Sequence, residues 1–189
     1  MGRLGHHAIV IGGSIAGLIT ARVLSDYFER VTILERDEIE DRPVLHKSVP
    51  QGNHLHGLLN GGQRVLAALF PGFTDDLQSL GAHRIIIGRD IAWYLPDGKA
   101  FSATGSLREA FDVGLEGHCA SRAVIEYAIR RRTQQVSGIR VVTGITVREL
   151  ILSAGRIVGV RCDGAGSFEA ELTVDASGRT SRAPQWLAQ

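Results

Sequence analysis

The fold is decided by "AIVIGGSIAGLITARV", residues 8–23, where a short apolar run meets a glycine pair and then a helical pattern. The run at 8–12 is β-branched and bounded by glycine, which is typical of a buried parallel strand. Apolar and small residues then recur with helical spacing over 15–28, and a second apolar run follows at 31–35. Strand, glycine turn, helix and strand form a βαβ unit, so we predict an α/β fold with a parallel sheet.

The turn of this unit fits a nucleotide-binding pattern. Gly12, Ser14 and Gly17 follow G-x-G-x-x-G, with serine at the second glycine position. In this pattern the first glycine makes a tight turn, the last lets the helix approach the strand, and the helix N-terminus offers N–H groups to a pyrophosphate. Ser14 is small, and its hydroxyl is able to donate a hydrogen bond to a phosphate oxygen. Because the pattern follows a strand and opens a helix, we predict dinucleotide binding.

An acidic residue stands where a ribose ligand is expected. Glu35 ends the second predicted strand, 23 positions after Gly12, close to the spacing of about 20 residues at which a carboxylate accepts hydrogen bonds from a ribose hydroxyl. A carboxylate repels a 2′-phosphate, which favours FAD or NAD over NADP. The alternative interpretation is a charged residue at an ordinary strand end.

The remainder of the chain predicts further helices and an antiparallel layer of strands. Residues 37–56 are polar and aperiodic, and a loop of this length is usually functional or disordered. Ser153-Ala154-Gly155 is a hairpin signal between two strand patterns. The predicted helices cover 63–70, 75–80 and 121–136, and the predicted strands lie within 83–102 and at 139–142, 146–152, 156–162 and 168–175.

Composition and charge exclude several classes of partner. The formal net charge is +1, so nucleic acid and anionic membrane surfaces are not predicted partners. No run reaches the roughly 18 apolar residues of a membrane span, and the N-terminus lacks the pattern of a signal peptide. Cys119 and Cys162 are interpreted as buried thiols in a reducing compartment. These features predict a cytoplasmic protein.

Three stretches carry a resemblance to a known family: "IGGSIAGLITARVLSDYFERVTILERD" (11–37), "PQGNHLHGLL" (50–59) and "LTVDASGRTSRAPQWLA" (172–188). They resemble the N-terminal part of FAD-dependent monooxygenases of the para-hydroxybenzoate hydroxylase-like superfamily. The closer likeness is to the bacterial epoxidase and hydroxylase branch, with halogenases and geranylgeranyl reductases more distant. The resemblance implies a Rossmann-like FAD-binding domain over 1–189, in which 83–117 begins the substrate-facing β region.

The same resemblance implies a set of cofactor contacts. Glu35 would hold the adenosine ribose, with Arg36 beside it, and Arg122 would approach the FAD phosphates. The strand containing Val147 would meet the adenine, and Gln51 or His54 would hydrogen-bond to the flavin ring or to a substrate. The implied cofactor-binding residues are Gly12, Gly13, Ser14, Ile15, Ala16, Gly17, Glu35, Arg36, Gln51, His54, Arg122, Val147, Asp175 and Gly178.

Other polar residues receive a structural interpretation. His54 and His56 would face the same side of an extended segment, as metal ligands do, but no third ligand has a suitable spacing, so no metal site is predicted. His6 and His7 are expected to be solvated. The basic run at 130–132 is expected to cover the exposed face and C-terminal end of the 121–136 helix.

By resemblance, the function is that of a flavin-dependent monooxygenase using NAD(P)H and O₂ to hydroxylate or epoxidise a small organic substrate. The flavin carries the chemistry, so no catalytic side chain is predicted. A reductase or halogenase of the same fold is one alternative, although neither Lys47 nor Lys99 has the context of a halogenase lysine. The other alternative is a truncated, inactive nucleotide-binding fragment. The later G-D motif of the family has no counterpart here, which predicts a missing C-terminal half or partner chain.

Overall fold

The structure is a computed structural model that describes residues 2–44, 56–86, 90, 92–98, 100–102 and 116–188. The chain divides into two compact units. The first unit comprises Met1–Ser48 and Ile129–Gln189, and the second comprises Val49–Ala128. None of the helices in the described part of the chain combines the length and the apolar character needed to cross a membrane.

The first unit contains a four-stranded parallel sheet, which confirms the predicted α/β fold. The last five residues of β1 (Gly5–Ile11) are all buried, as expected for a central parallel strand. The connecting helix ends at Leu24 rather than at 28, because Phe28 enters the next strand and pairs with Gly5. The strands are β1 (Gly5–Ile11), β2 (Phe28–Leu34), β8 (Ile139–Val142) and β12 (Leu172–Asp175), in the order β12-β1-β2-β8, and α1 (Ile15–Leu24) connects β1 to β2.

A three-stranded antiparallel sheet forms the predicted second β layer. It consists of β9 (Val147–Ser153), β10 (Arg156–Cys162) and β11 (Gly166–Glu169), in the order β11-β10-β9. The β9–β10 turn has positive φ at Ala154 (50°) and Gly155 (74°), the signature of a type I′ hairpin. This confirms the hairpin predicted from Ser153-Ala154-Gly155.

The single strand predicted at 168–175 is wrong, because the chain changes sheets within it. Residues up to Glu169 pair antiparallel with β10, whereas residues from Leu172 pair parallel with β1. The crossing is made at Ala170, whose N–H donates to Val158, and at Glu171, whose N–H donates to the carbonyl of His7. One alternating pattern therefore serves two sheets.

The core of the first unit lies where these sheets and the last helix meet. α5 (Ala183–Leu187) contributes Trp186, which is 5% exposed. Cys162 is buried here, and burial raises the pKa of its thiol, so it behaves as the apolar residue that was predicted. The buried cluster comprises Ile9, Ile11, Leu34, Val147, Val160, Cys162, Ala170 and Trp186.

In its described residues, the second unit combines short helices with two antiparallel sheets. β3 (Gly57–Leu58), β7 (Glu116–Cys119) and β4 (His83–Ile86) form one sheet in that order, and β5 (Ala92–Tyr94) pairs with β6 (Ala100–Ser102). The three predicted helices are confirmed with shifted ends. They are α2 (Asn60–Leu69), α3 (Phe73–Ser79) and α4 (Arg122–Gln134), the last of which continues into the first unit.

Two expectations about solvated side chains are wrong. His7 is 6% exposed because it lies within β1, where its Nδ1 contacts the Glu169 carbonyl at 2.6 Å and its Nε2 contacts the Thr32 hydroxyl at 2.8 Å. His6 does remain exposed, at 3.0 Å from Glu29. Arg130 is 2% exposed, because α4 is buried around most of its circumference from 125 to 130.

Candidate functional site

The candidate site lies at the carboxyl end of the parallel sheet. From β1 the chain proceeds to β2 on one side, while β12 lies on the other, so the strand order reverses at β1. In open α/β sheets, ligands bind outside the carboxyl ends of the strands at such a switch point. Ile11 pairs with both Leu34 and Asp175. The loops that follow these three strands therefore start side by side.

Two glycines shape the loop after β1. Gly12 has a φ of +103°, and a Cβ there would lie 2.7 Å from the carbonyl oxygen of Ala176. A Cβ on Gly17 would overlap the carbonyl oxygen of Gly12. The first position requires a left-handed backbone, and the last requires close approach of helix to turn, so both positions demand glycine.

Ser14 stands immediately before α1. Its extended backbone (φ −85°, ψ −176°) is that of an N-cap residue, and its carbonyl accepts the Leu18 N–H at 3.0 Å. Its side chain does not cap the helix, and the first turn contains no acidic residue. The N–H groups of a first helical turn have no partner within the helix. The start of α1, at Ile15 and Ala16, is therefore suited to an anion.

Glu35 is held beside this turn by backbone hydrogen bonds. Its Oε2 accepts the Gly13 N–H at 2.5 Å, and its Oε1 accepts the Asp37 N–H at 2.9 Å. Its own N–H donates to Val142, which fixes the residue at the edge of β8. Arg36 is exposed, with its Nε 4.0 Å from Asp37. The structure thus brings Glu35 to the loop after β1, while its contact with a ribose stays a prediction.

Asp175 directs its carboxylate into its own loop. Its Oδ1 accepts the N–H and the hydroxyl of Ser177 at 2.9 and 2.5 Å, and its Oδ2 accepts the Ser181 hydroxyl at 2.6 Å. Burial alone would raise the pKa of Asp175, but the hydrogen bonds from both serines hold it below its ordinary value. Gly178 follows with a φ of +72° and starts a 3₁₀ turn. Asp175 is therefore an ionised residue that organises this loop.

The remaining predicted residues are dispersed over the two units. Val147 begins β9 with its side chain in the core of the first unit. Arg122 begins α4 in the second unit, where its Nη2 lies 3.5 Å from the buried carboxylate of Glu126. Gln51 and His54 lie outside the described residues. Their roles toward a cofactor stay predictions.

Sequence reasoning missed the serine network around Asp175. The signal was present as serines two and six residues after an aspartate, because a short acceptor commonly bonds the backbone and hydroxyl two residues ahead. Within the described segments, no three His, Cys, Asp or Glu side chains cluster as metal ligands would.

Comparison with known proteins identifies the fold. No protein-family model matches the chain. Protein Rv3254 of Mycobacterium tuberculosis (strain ATCC 25618 / H37Rv) is 37% identical over 201 residues, which cover 100% of this chain and 42% of that protein. The crystal structure of pqsL, a probable FAD-dependent monooxygenase from Pseudomonas aeruginosa, matches with a TM-score of 0.68 at 15% identity, over 97% of this chain and 45% of that one.

The chain has the fold of FAD-dependent monooxygenases. p-Nitrophenol 4-monooxygenase PnpA from Pseudomonas putida DLL-E4 matches with a TM-score of 0.70 at 17% identity, over 97% of this chain and 44% of its own. The myxobacterial chondrochloren halogenase CndH matches with a TM-score of 0.61 at 22% identity, over 94% of this chain and 38% of its own. The chain thus spans less than half the length of the relative and of these structures.

Proposed function

We propose that the chain binds FAD as the nucleotide-binding part of a flavin-dependent oxidoreductase, with a monooxygenase as the preferred class. The observation that carries the proposal is the juxtaposition of Gly12, the start of α1 and the Glu35 carboxylate at the switch point of the sheet. A dinucleotide needs both of these features, a donor-rich turn for its diphosphate and a carboxylate for its ribose.

The diphosphate would be held by the start of α1. The Gly13 N–H donates to Glu35, so we assign the diphosphate to the backbone N–H groups of Ile15 and Ala16. We assign the Ser14 hydroxyl, at the N-cap position of α1, as a further donor to the diphosphate. The partial positive charge of a helix N-terminus favours an anion at this position.

The ribose would be held by Glu35. Each of its oxygens accepts one backbone N–H, and an ionised carboxylate has about four acceptor positions. Capacity therefore remains for ribose hydroxyls. The negative charge opposes a 2′-phosphate, which favours FAD or NAD at this site over NADP.

FAD, when bound, would supply the redox chemistry, with NAD(P)H as the proposed electron donor and O₂ as the oxidant of a small organic substrate. The chain's own residues would bind and orient the cofactor. We assign supporting contacts to Arg36, Gln51, His54 and Arg122, and we assign the start of the substrate-facing β region to 83–117. A halogenase is the second candidate, because CndH shares the fold.

Titration of the purified chain with FAD, followed by flavin fluorescence, tests the proposal. We expect saturable binding by the wild type and its loss in Gly12→Ala, where the new Cβ meets the Ala176 carbonyl. Gly61→Ala is the matched control, because a Cβ at Gly61 meets nothing within 4 Å. Absence of binding by a wild-type chain that is folded by circular dichroism would overturn the proposal.

A further inference from the structure

Ser181 connects two elements of the first unit through one hydroxyl group. Its Oγ donates to Asp175 Oδ2 at 2.6 Å and accepts the N–H of Ala183 at 3.2 Å. Asp175 is the last residue of β12, and Ala183 is the first of α5. The hydroxyl therefore ties the carboxyl end of β12, the strand next to β1, to the helix that carries Trp186 into the core.

The carboxylate of Asp175 is the hub of this connection. Its other oxygen accepts both the N–H and the hydroxyl of Ser177. Hydrogen bonds to an ionised carboxylate are shorter and stronger than those between neutral groups. Three donors thus close the segment 175–181 into a loop whose shape depends on the two serines.

The loop reaches the nucleotide-binding turn through Ala176. The Ala176 N–H donates to Ile11 at 2.8 Å, and the Ala176 carbonyl oxygen lies 2.7 Å from the position of a Cβ on Gly12. The backbone of Gly12 and the backbone of Ala176 are therefore packed directly against each other. If the loop that begins at Asp175 shifts, the backbone of Ala176 shifts with it, and the backbone of Gly12 has to adjust.

We propose that Ser181 is a positioning residue for the nucleotide site: by holding the Asp175 carboxylate, it sets the conformation of the Gly12 turn. In this arrangement Asp175 supports the site through its own loop, with its oxygens held by Ser177 and Ser181. The nucleotide as ligand rests on the proposed function, whereas the coupling of Ser181 to the turn rests on geometry alone.

The test compares Ser181→Ala with Ser181→Thr and with Thr180→Ala. Thr180 lies in the same loop, is exposed, and its hydroxyl donates only a long bond, 3.3 Å, to the Ser177 carbonyl. Two quantities are measured: the dissociation constant for FAD, and amide hydrogen exchange in the ligand-free chain over peptides covering 8–17 and 172–182. Asp175→Asn serves as a second route to the same loss, should Ser181→Ala fail to fold.

We expect Ser181→Ala to weaken FAD binding about tenfold, the scale of one hydrogen bond to a charged group. Exchange should accelerate in both peptides, Ser181→Thr should restore both quantities, and Thr180→Ala should match the wild type. If the wild-type chain does not bind FAD, the proposed function is wrong. Amide hydrogen exchange in the 8–17 peptide then still tests whether Ser181 is coupled to the Gly12 turn. The inference is overturned if amide hydrogen exchange in the 8–17 peptide is the same in Ser181→Ala as in the wild type. It is also overturned if the wild type binds FAD and Ser181→Ala binds it with equal affinity. If Ser181→Ala does not fold, the same criteria apply to Asp175→Asn.

Discussion

The carboxylate of Glu35 accepts the backbone N–H of Gly13 at 2.5 Å, joining the loop after β2 to the loop after β1. A Cβ on Gly13 would lie 3.0 Å from the Cβ of Glu35, so the close approach depends on glycine at that position. The turn after β1 is thus shaped from one side by Glu35 and from the other by Ala176. Both neighbours lie immediately after strands adjacent to β1.

Removal of the Glu35 charge should change nucleotide preference. Glu35→Gln keeps an acceptor for the Gly13 N–H but no longer repels a 2′-phosphate. We expect the affinity for 2′,5′-ADP relative to ADP to rise about tenfold, within the range of one charge interaction near a protein surface. Competition of each nucleotide against FAD measures the ratio. Glu40→Gln is the control, since Glu40 is exposed and pairs with Arg42; an unchanged ratio in Glu35→Gln would remove Glu35 from the ribose site.

A methyl group at Gly17 should destabilise the chain. The new Cβ would overlap the Gly12 carbonyl, and overpacking of this kind costs about 1–3 kcal/mol of unfolding free energy. Urea denaturation followed by circular dichroism measures the loss. The control is Gly61→Ala in α2, where the Cβ is unobstructed and stability should hold or rise. Equal stability of Gly17→Ala and wild type would show that α1 does not approach the turn this closely.

Trp186 should be a major source of stability in the first unit. It is 5% exposed within the core, so Trp186→Ala should cost about 3–5 kcal/mol of unfolding free energy. Trp186→Phe should cost less, because the indole N–H has no hydrogen-bond partner among the described residues. The neighbouring Leu187 is 64% exposed, and Leu187→Ala should stay within about 0.5 kcal/mol of wild type. A larger loss of unfolding free energy in Leu187→Ala than in Trp186→Ala, measured by denaturant titration, would contradict the position of α5.

Two buried histidines should make the chain less stable in mild acid. Burial lowers the pKa of His7 and of His118 below the ordinary value of 6.5. Below about pH 6.5 the unfolded chain takes up protons that the folded chain does not, so the unfolding free energy falls as the pH falls. Above about pH 6.5 both states hold these histidines neutral, so the histidines no longer lower the unfolding free energy. Urea midpoints at pH 7.5 and 5.5 measure the dependence, and a His7→Gln/His118→Gln variant should show a smaller difference between them.

His6 provides a control, because its effect on the pH dependence of stability is opposite to that of His7 and His118. The hydrogen bond and charge of Glu29 raise the pKa of His6 above 6.5. Its contribution is therefore complete below about pH 6.5 and is lost as the pH rises through the raised value. His6→Gln should steepen the acid loss that the double variant reduces. The same pH dependence in all three proteins would exclude these histidines as its source.

Predictability from the sequence differed between local and distant features. The βαβ start was predictable because hydrophobic period and glycine spacing act within about 30 residues. The burial of His7 was not, since it depends on Thr32 and on Glu169, which lies 162 positions away. Similarly, the alternating pattern at 168–175 reads as one strand, although Glu171 marks a change between two sheets.

The amino-acid sequence by itself determined the strand–turn–helix–strand unit, the glycine positions of the turn and the place of Glu35 directly after β2. These are properties of neighbouring residues, whose steric and periodic preferences act before the chain is folded. Only the tertiary structure decided that the Ala176 carbonyl would lie against Gly12 and that the Ser181 hydroxyl would donate to Asp175. Such contacts depend on which strands become neighbours, and strand pairing across more than 150 residues is chosen by burial of the whole core rather than by any local pattern.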